Sequence, residues 1–396
     1  MDALLRSDCR SRQRSPIVPA LAAPHLQKGK PPNMATSGSL RSYLGKRDYR
    51  TRPLSYRSYR NRKAMRSGCY NTTRLAAHNG SMKIEILGAE SLGVRGLSCF
   101  VRTRERRIVI DPGVALGYIR HRLLPHPLQV AAGEMTRNRI RESLRGATDV
   151  IFSHLHGDHV PLPDANPYQL KLSLVADDLK RAHLWVMNDR HLTHNMKARF
   201  ESIKRVVGED ITVISRERRY PPFTFFEPVE HGENYRHGGY VMMTMITDGD
   251  ERFVHASDTQ LLSKRATEKI VEWHPNIVLT DGPSFYLPRF PDHLKNEAVK
   301  NAIEIAENVD LLLIDHHALR SRGGERWVNA LSRMRGNIMT AADFMNEPRR
   351  LLEADRERLY FEMPVERGWH ERYAKGQVTT DSYREEARKR HLRWAF

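Results

Sequence analysis

The sequence predicts a mixed α/β (α+β) fold in which sheets are covered by helices. From Met82 onward, short β-like runs follow one another closely, as in hairpins, and later runs alternate with helical patterns. This mixture is typical of the α/β or α+β class. The predicted strands are KIEILG, LSCFVRT, RRIVIDPG, TDVIFSH, HLWVMND, DITVISR, FTFFEPVEH, YVMMTMIT, RFVHASD, NIVLTDG and LLLIDHH. The predicted helices span residues 134–146, 191–206, 261–272 and 293–307.

The first 81 residues differ in composition from the rest of the chain. They hold 17 Lys and Arg against 3 Asp and Glu, a net charge of +14, which leaves only +4 of the total +18 for the other 315 residues. They contain no Phe or Trp, so they cannot bury enough apolar surface to offset the entropy lost on folding. We therefore predict a disordered, Arg/Ser/Tyr-rich basic segment over residues 1–81 and one folded domain over residues 82–396.

Several interpretations of the basic segment stay open. Met82 begins a good opening strand, so the upstream part can be a start-site artefact or a solvated tail. Its composition would also suit a transit peptide, or nonspecific contact with nucleic acid through Arg charge and Tyr stacking. A non-catalytic nucleic-acid-binding protein that acts through this segment would lose function without it. An enzyme located in residues 82–396 would keep its function.

Cysteine usage and hydropathy limit the compartment. The three cysteines, Cys9, Cys69 and Cys99, are an odd number, and two of them fall in the segment predicted not to fold. This pattern argues against a disulfide framework and favours a reducing compartment. No stretch approaches the roughly 18 apolar residues that a membrane-spanning helix needs. The sequence thus predicts a soluble, cytoplasmic protein without a membrane partner, and it gives no indication of the oligomeric state.

Residues that suit metal binding or acid–base chemistry follow many of the predicted strands. Strand ends at one edge of a sheet converge in space, so groups far apart in the sequence can form one site. The residues in question are Asp111, His154, His231, Asp258, Asp281 and the run Asp315-His316-His317.

The stretch SHLHGDH supplies four candidate ligands within six positions. On a helix, these offsets would spread over more than half a turn, so a helix is the wrong scaffold. On an extended strand end, His154, His156 and Asp158 share one side, while His159 turns to the other and Gly157 permits the bend. Imidazole and carboxylate donors without thiolate suit Zn²⁺, Fe or Mn. The remaining ligands must then come from other strand ends.

The segment HLHGDH resembles the HxHxDH signature of the metallo-β-lactamase superfamily. The chain is more similar still to an uncharacterised, mostly archaeal family of predicted metallo-β-lactamase-fold hydrolases. The similar segments are MKIEILGAESLGVRGL, IVIDPGVALG, SHLHGDH, VEHGE, ASDTQ, TDGPSFYL and IDHHALR. The resemblance covers roughly residues 82–358 and leaves out the basic segment. It implies a four-layer αββα sandwich with the site at the lip between two sheets.

Carried over residue by residue, the resemblance implies two metal sites that share one carboxylate. The implied ligands are His154, His156 and His231 for the first ion and Asp158, His159 and a late histidine for the second, with Asp258 bridging both. For the late histidine we favour His316, because LLLIDHHALR resembles a nuclease-type LLLTHxSxR whose first histidine binds metal. His317 is the alternative. Asp111 would lie behind the ligands and steady the histidine loop.

Three of these residues have competing interpretations. Asp258 could instead cap a helix that starts near Leu261. His231 directly ends a predicted strand and is favoured over the nearby His237 as the ligand. Asp281 could position the substrate or a metal-bound water, but an Asp-Gly turn is an equally good interpretation, so it is left out of the metal set.

These residues predict a metal-dependent hydrolase that uses hydroxide bridging two divalent ions, Zn²⁺ first, with Fe or Mn as alternatives. Asp158 or Asp258 would relay a proton as the catalytic carboxylate. We predict a phosphodiester substrate, either a small molecule or nucleic acid. The alternative is a carboxylic ester, lactone or thioester hydrolase of the same fold. A flavodiiron-type redox enzyme is disfavoured, because those members of the superfamily carry Glu where His156 stands here.

Overall fold

The computed structural model describes residues 82–188, 190, 192–208, 210–232 and 239–396. The predictions made for residues 1–81 and for His237 lie outside these residues. Within the described part, the structure contains no helix that is long and apolar enough to cross a membrane.

Six strands form the first sheet, in the order β1 to β6. Their bounds are Lys83–Gly88 (β1), Ser98–Arg102 (β2), Arg107–Ile110 (β3), Asp149–Phe152 (β4), His183–Met187 (β5) and Ile211–Ile214 (β6). The first three strands pair antiparallel, and β3 to β6 pair parallel. The helices in this half are α1 (Pro127–Leu144), α2 (Ala176–Arg181) and α3 (His194–Val207).

Seven strands form the second sheet. Their bounds are Arg218–Tyr220 (β7), Phe223–Phe225 (β8), Thr244–Asp248 (β11), Glu251–Ser257 (β12), Ile277–Thr280 (β13), Leu311–Ile314 (β14) and Ile338–Met339 (β15). The spatial order is β15-β14-β13-β12-β11-β8-β7, and β12 to β15 run parallel. Between β8 and β11, the strands β9 (Val229–Glu230) and β10 (Tyr240–Val241) pair with each other. Helices α4 (Lys264–Trp273), α5 (Asp292–Asn308) and α6 (Arg322–Arg335) connect the parallel strands.

The remaining helices follow the second sheet. They are α7 (Ala341–Phe344), α8 (Arg356–Glu362), α9 (Trp369–Ala374) and α10 (Asp381–Lys389). Short 3-10 helices span Glu90–Leu92, Leu172–Leu174 and His316–Arg320.

Two apolar cores fill the spaces between the layers of the molecule. Successive side chains of a strand point to opposite faces, so one strand can serve both cores. Phe253 of β12 and Leu313 of β14 belong to the core that includes Phe152 of the first sheet. Their neighbours Val254 and Leu312 belong to the core that includes apolar residues of α4, α5 and α6. Sheet packs on sheet with helices outside, so the predicted mixed α/β sandwich is confirmed.

The predicted elements are present, with differences at their ends. Helix α1 begins at Pro127 rather than at residue 134, because His126 caps it by accepting a hydrogen bond from the Leu128 amide at 3.2 Å and proline suits the first turn. Helix α4 begins at Lys264, where Ser263 caps it. The short strands β7 and β15 were not predicted.

Candidate metal centre

The carboxyl ends of several strands meet at one lip between the two sheets. Ser153 follows β4 in the first sheet, and Ser257 ends β12 in the second sheet. Their Oγ atoms lie 2.7 Å apart. The Met242 amide donates to the Ser153 carbonyl at 2.8 Å. These contacts bring the histidine loop of one sheet next to the aspartates of the other. The strand-end convergence predicted from the sequence is therefore observed.

A tight turn brings His159 back towards the preceding histidines. The amides of His159 and Val160 both donate to the His156 carbonyl, at 3.0 and 3.2 Å. The guanidinium of Arg199 donates to the Leu155 carbonyl at 2.8 Å, which fixes the outer side of the loop. The loop therefore presents its side chains in a fixed order towards the lip.

Asp111 anchors this loop from behind. Its carboxylate accepts from the Ser153 amide at 2.8 Å and from the Ser153 hydroxyl at 2.5 Å, and it lies 2.9 Å from His159 Nδ1. A histidine that donates its Nδ1 proton to a carboxylate keeps a lone pair on Nε2 and so can bind a metal. Asp111 is thus placed where it orients His159, and its own backbone is held at a positive φ of 48°.

The carboxylate of Asp258 lies at the centre of the cluster and is 1% exposed. Five imidazole nitrogens surround its Oδ2 atom. They are Nε2 of His159 (3.2 Å), His231 (3.2 Å), His154 (3.6 Å), His316 (3.6 Å) and His317 (3.7 Å). Donors of a four-coordinate zinc with bonds of about 2.0–2.1 Å lie about 3.3 Å apart, so this spacing fits a cation. Asp258 does not cap a helix, because α4 begins later and Ser263 caps it.

The first donor set consists of His154, His156, His231 and Asp258, whose donor atoms all lie within 4.8 Å of one another. His154 Nε2 lies 3.1 Å from His156 Nδ1. The Ser153 hydroxyl donates its only proton to Asp111, so it can only accept from Nδ1 of His154, which lies 3.0 Å away. His154 therefore carries its proton on Nδ1, and its Nε2 lone pair faces the other donors of the set. Two facing imidazole lone pairs repel each other unless a cation or a proton lies between them.

The second donor set consists of Asp158, His159 and His316, within the same 4.8 Å limit. His316 Nε2 lies 3.5 Å from Asp158 Oδ2. The Nε2 atom of His159 and the Oδ1 atom of Asp258 are buried and have no hydrogen-bond partner in the described part of the chain. Buried polar atoms normally have partners, and a bound cation would supply one here.

The two adjacent histidines differ in their hydrogen bonds. Nδ1 of His316 accepts from the Gly96 amide at 3.1 Å. Nδ1 of His317 lies 2.7 Å from the carboxylate of Asp281, which also accepts from the Gln260 amide at 2.7 Å. The carboxylate of Asp281 is fully buried and engaged on both oxygens, so it is positioned to orient His317.

Burial and neighbouring charges adjust the protonation of the cluster. Burial, and then the adjacent imidazoles, lower the pKa of His154 well below its ordinary value and that of His156 to about 3. Both are therefore neutral at pH 7, which is the form that binds metals. Burial opposes ionisation of Asp258, yet the imidazoles of His159, His316 and His317 hold its pKa well below its usual range. Burial lowers the pKa of His159, but the carboxylates of Asp258 and Asp111 outweigh it and raise this pKa well above its ordinary value. The cluster thus offers the neutral imidazoles of His154 and His156 beside an ionised carboxylate.

Sequence reasoning assigned no role to three residues of this cluster. The Ser153 hydroxyl links Asp111 to His154. The carboxylate of Asp315 accepts from the amides of Ser91, Ala341 and His316 and so fixes the backbone before the histidine pair. The Nη2 atom of Arg320 lies 3.1 Å from the Oδ2 atom of Asp158. The segment IDHHALR contains Asp315 and Arg320, but their contacts depend on side chains distant in sequence.

Comparison with known proteins identifies the family. The family model of the metallo-β-lactamase superfamily matches residues 93–160. A UPF0282 protein of Methanosarcina mazei is 42% identical over 306 residues, which cover 76% of this chain and 99% of the relative. The chain belongs to the UPF0282 family. A second UPF0282 relative, from Pyrococcus furiosus, is 31% identical over 291 residues, which cover 70% of this chain and 92% of the relative.

Among solved structures, similarity to this UPF0282 chain is more distant. An isothiocyanate hydrolase from Delia radicum gut bacteria matches with 14% identity and a TM-score of 0.41, covering 65% of this chain and 95% of the other. Tm1679, a metal-dependent hydrolase of the β-lactamase superfamily, matches with 15% identity and a TM-score of 0.38, covering 65% and 95%. The superfamily membership predicted from HLHGDH is confirmed by the family model. The chain is a member of the metallo-β-lactamase superfamily with a His/Asp cluster that can hold divalent metal ions.

Proposed function

We propose that this UPF0282 protein hydrolyses phosphodiesters with the help of two divalent metal ions. One observation carries the proposal: the carboxylate of Asp258, which belongs to the first donor set, also lies 3.2 Å from Nε2 of His159 and 3.6 Å from Nε2 of His316 in the second set, close to the donor spacing around a four-coordinate ion. The proposed ligands are His154, His156, His231 and Asp258 for the first ion and Asp158, His159, His316 and Asp258 for the second. Imidazole and carboxylate donors suit Zn²⁺ first, and Fe or Mn as alternatives.

The chain's own residues prepare this site for hydrolysis. When bound, a pair of divalent ions supplies Lewis acidity, which polarises a substrate oxygen and lowers the pKa of water. Asp111 and Asp281 accept the Nδ1 protons of His159 and His317, which directs their Nε2 lone pairs towards Asp258. Asp158 or Asp258 is the proposed proton acceptor.

Positive charge next to the cluster supports an anionic substrate. The half-buried guanidinium of Arg120 lies 5.4 Å from the ring centre of Tyr286, whose hydroxyl contacts Arg320 beside Asp158. Guanidinium groups are common partners of phosphate, and cations lining a site raise the local concentration of anions. Arg120 therefore favours a phosphodiester over a neutral ester, lactone or thioester. The proposal covers both a small molecule and nucleic acid, because residues 1–81, with their charge of +14, lie outside the described part.

The function is tested with the full chain and a substrate panel. We expect the metal-free protein, supplied with Zn²⁺ or Mn²⁺, to hydrolyse bis(p-nitrophenyl) phosphate faster than a p-nitrophenyl carboxylic ester, a homoserine lactone or an acyl thioester. A chelator should abolish turnover, and added metal should restore it, because the ligands are intrinsic to the fold.

A matched pair of histidine variants controls the panel. His154→Ala should lose turnover, whereas His183→Ala, which removes a histidine that contacts Asp210 and Thr212 away from the cluster, should keep it. Turnover of a carboxylic ester, lactone or thioester in preference to the phosphodiester would replace the proposed substrate. Turnover that survives both chelation and His154→Ala would reject the metal-dependent hydrolase itself.

The late ligand is tested by comparing His316→Ala with His317→Ala. We expect His316→Ala to lose the second ion and His317→Ala to retain it, because only His316 has Nε2 within 3.6 Å of both Asp158 and Asp258. Binding through Nε2 requires His316 to carry its proton on Nδ1, so the hydrogen bond from the Gly96 amide to Nδ1 must then be given up. The measurement is the number of ions per chain after dialysis against metal-free buffer. The reverse result would make His317 the ligand, in agreement with the donation of its Nδ1 proton to Asp281.

A further inference from the structure

A buried arginine lies against the second donor set. Arg320 is the last residue of the 3-10 helix His316–Arg320 and is 5% exposed. Its Nη2 atom lies 3.1 Å from Asp158 Oδ2 and 2.9 Å from His316 Nε2. Asp158 and His316 are two of the four residues that the proposed function assigns to the second ion. The guanidinium and that ion therefore compete for the Asp158 carboxylate and for the space beside His316.

The surroundings of Arg320 prevent it from leaving the site. Its Nη1 atom lies 3.3 Å from the Tyr286 hydroxyl, and its Nε atom lies 3.4 Å from the Glu90 carboxylate. The guanidinium also packs over the Tyr286 ring. Contacts with Tyr286 and Glu90 hold the positive charge close to Asp158.

The charge of Arg320 is poorly compensated on its far side. Glu90 is fully buried, and neither of its carboxylate oxygens has a hydrogen-bond partner in the described part of the chain. Burial, and then the neighbouring Glu353, raise the pKa of Glu90 well above its ordinary value. Glu353 is itself engaged by Arg95 at 2.6 Å. Asp158 is therefore the main counter-charge of Arg320.

The first donor set has no such competitor. In the part of the chain that the structure describes, no lysine or arginine forms a hydrogen bond or ion pair with His154, His156 or His231. The partners of these imidazoles are Ser153, Ser257, Gln260, Asp258 and one another. Among the described residues, the two sites thus differ by one buried positive charge.

We propose that Arg320 makes the two metal sites unequal, so that the ion at Asp158, His159 and His316 binds at least tenfold more weakly than the ion at His154, His156 and His231. Like charges a few ångströms apart in a buried site repel strongly. The guanidinium also draws on the electron pairs of the Asp158 carboxylate. This inference rests on the proposed two-ion function and adds the order in which the ions bind.

Zinc titration of the metal-free full chain, followed by calorimetry and by counting bound ions, tests the inference. Wild type should show two binding events with dissociation constants at least tenfold apart. Arg320→Gln should tighten the second event at least tenfold and change the first less than threefold. Arg320→Lys keeps the charge and should keep the gap. Arg322→Gln removes an arginine that pairs with Asp355 and should behave as wild type.

The outcomes separate this inference from the function on which it rests. Equal affinities in wild type, or a second event that Arg320→Gln weakens or leaves unchanged, would overturn the role of Arg320 and leave the two-ion hydrolase standing. A wild-type chain that binds none of Zn²⁺, Fe²⁺ or Mn²⁺ would reject the two-ion function itself. Thermal unfolding would show whether Arg320→Gln folds. If it does not fold, the wild-type titration still tests the proposal, because equal affinities of the two sites would contradict it.

Discussion

Asp258→Asn should empty both metal sites and abolish turnover. Asparagine preserves the shape of the side chain but removes the charge that five imidazole nitrogens surround at 3.2–3.7 Å. Loss of a residue that merely supports a ligand typically lowers metal affinity about 10- to 100-fold, and loss of a carboxylate shared by two ions should cost at least about 100-fold at each. The measurement is the number of ions retained per chain after dialysis, together with the rate of phosphodiester hydrolysis.

A surface aspartate provides the control for this variant. Asp292→Asn makes the same chemical change at the start of α5, where the exposed aspartate pairs with Lys295. It should retain both ions and full turnover. If Asp258→Asn also kept two ions per chain, Asp258 would not bridge the sites, and the shared-carboxylate arrangement would be wrong.

Gly113→Ala should displace the histidine loop and destabilise the fold. A Cβ atom at residue 113 would lie 2.2 Å from the backbone carbon of His159 and 2.2 Å from the backbone nitrogen of Val160. These are main-chain atoms, so no side-chain rotation can relieve the overlap. Overpacking of this kind costs about 1–3 kcal/mol or more. The shift of His159 should also weaken the second ion more than the first.

Gly133→Ala is the matched control for that change. Gly133 lies within α1, and a Cβ atom there would approach its nearest neighbour, the Arg137 side chain, at an ordinary 3.5 Å. Alanine is also the better helix former, by about 1 kcal/mol. Gly133→Ala should therefore be neutral or stabilising in urea unfolding and should leave both ions in place. Normal unfolding and metal content for Gly113→Ala would show that the loop does not depend on this close approach.

The local part of the site was readable from the sequence, because its ligands lie within one short stretch. A single turn supplies His154, His156, Asp158 and His159. The apolar residues of β4 come directly before this turn and fix where it begins. His231 and Asp258 were identified only through the order of strand ends, since nothing local distinguishes them from loop or capping residues. Their approach to the loop depends on how the two sheets pack.

Other features could not be predicted, because they depend on contacts between distant residues. The short strands β7 and β15 are defined by pairing with β8 and β14, and their sequences carry little β signal of their own. The position of Arg320 beside Asp158 spans 162 residues of sequence. The sequence places Arg320 four residues after His316, but only the packing of the second sheet against the histidine loop brings its guanidinium to that carboxylate.

Anomalous X-ray scattering at the zinc edge, from crystals of the full chain grown with Zn²⁺, would test the two-ion centre most directly. We expect two anomalous peaks about 3.5–4 Å apart, with Asp258 in contact with both. The first peak should lie about 2.0–2.1 Å from donors of His154, His156 and His231, and the second at the same distance from donors of Asp158, His159 and His316. A map without a peak between these side chains, or with zinc bound only elsewhere on the chain, would contradict the proposed centre.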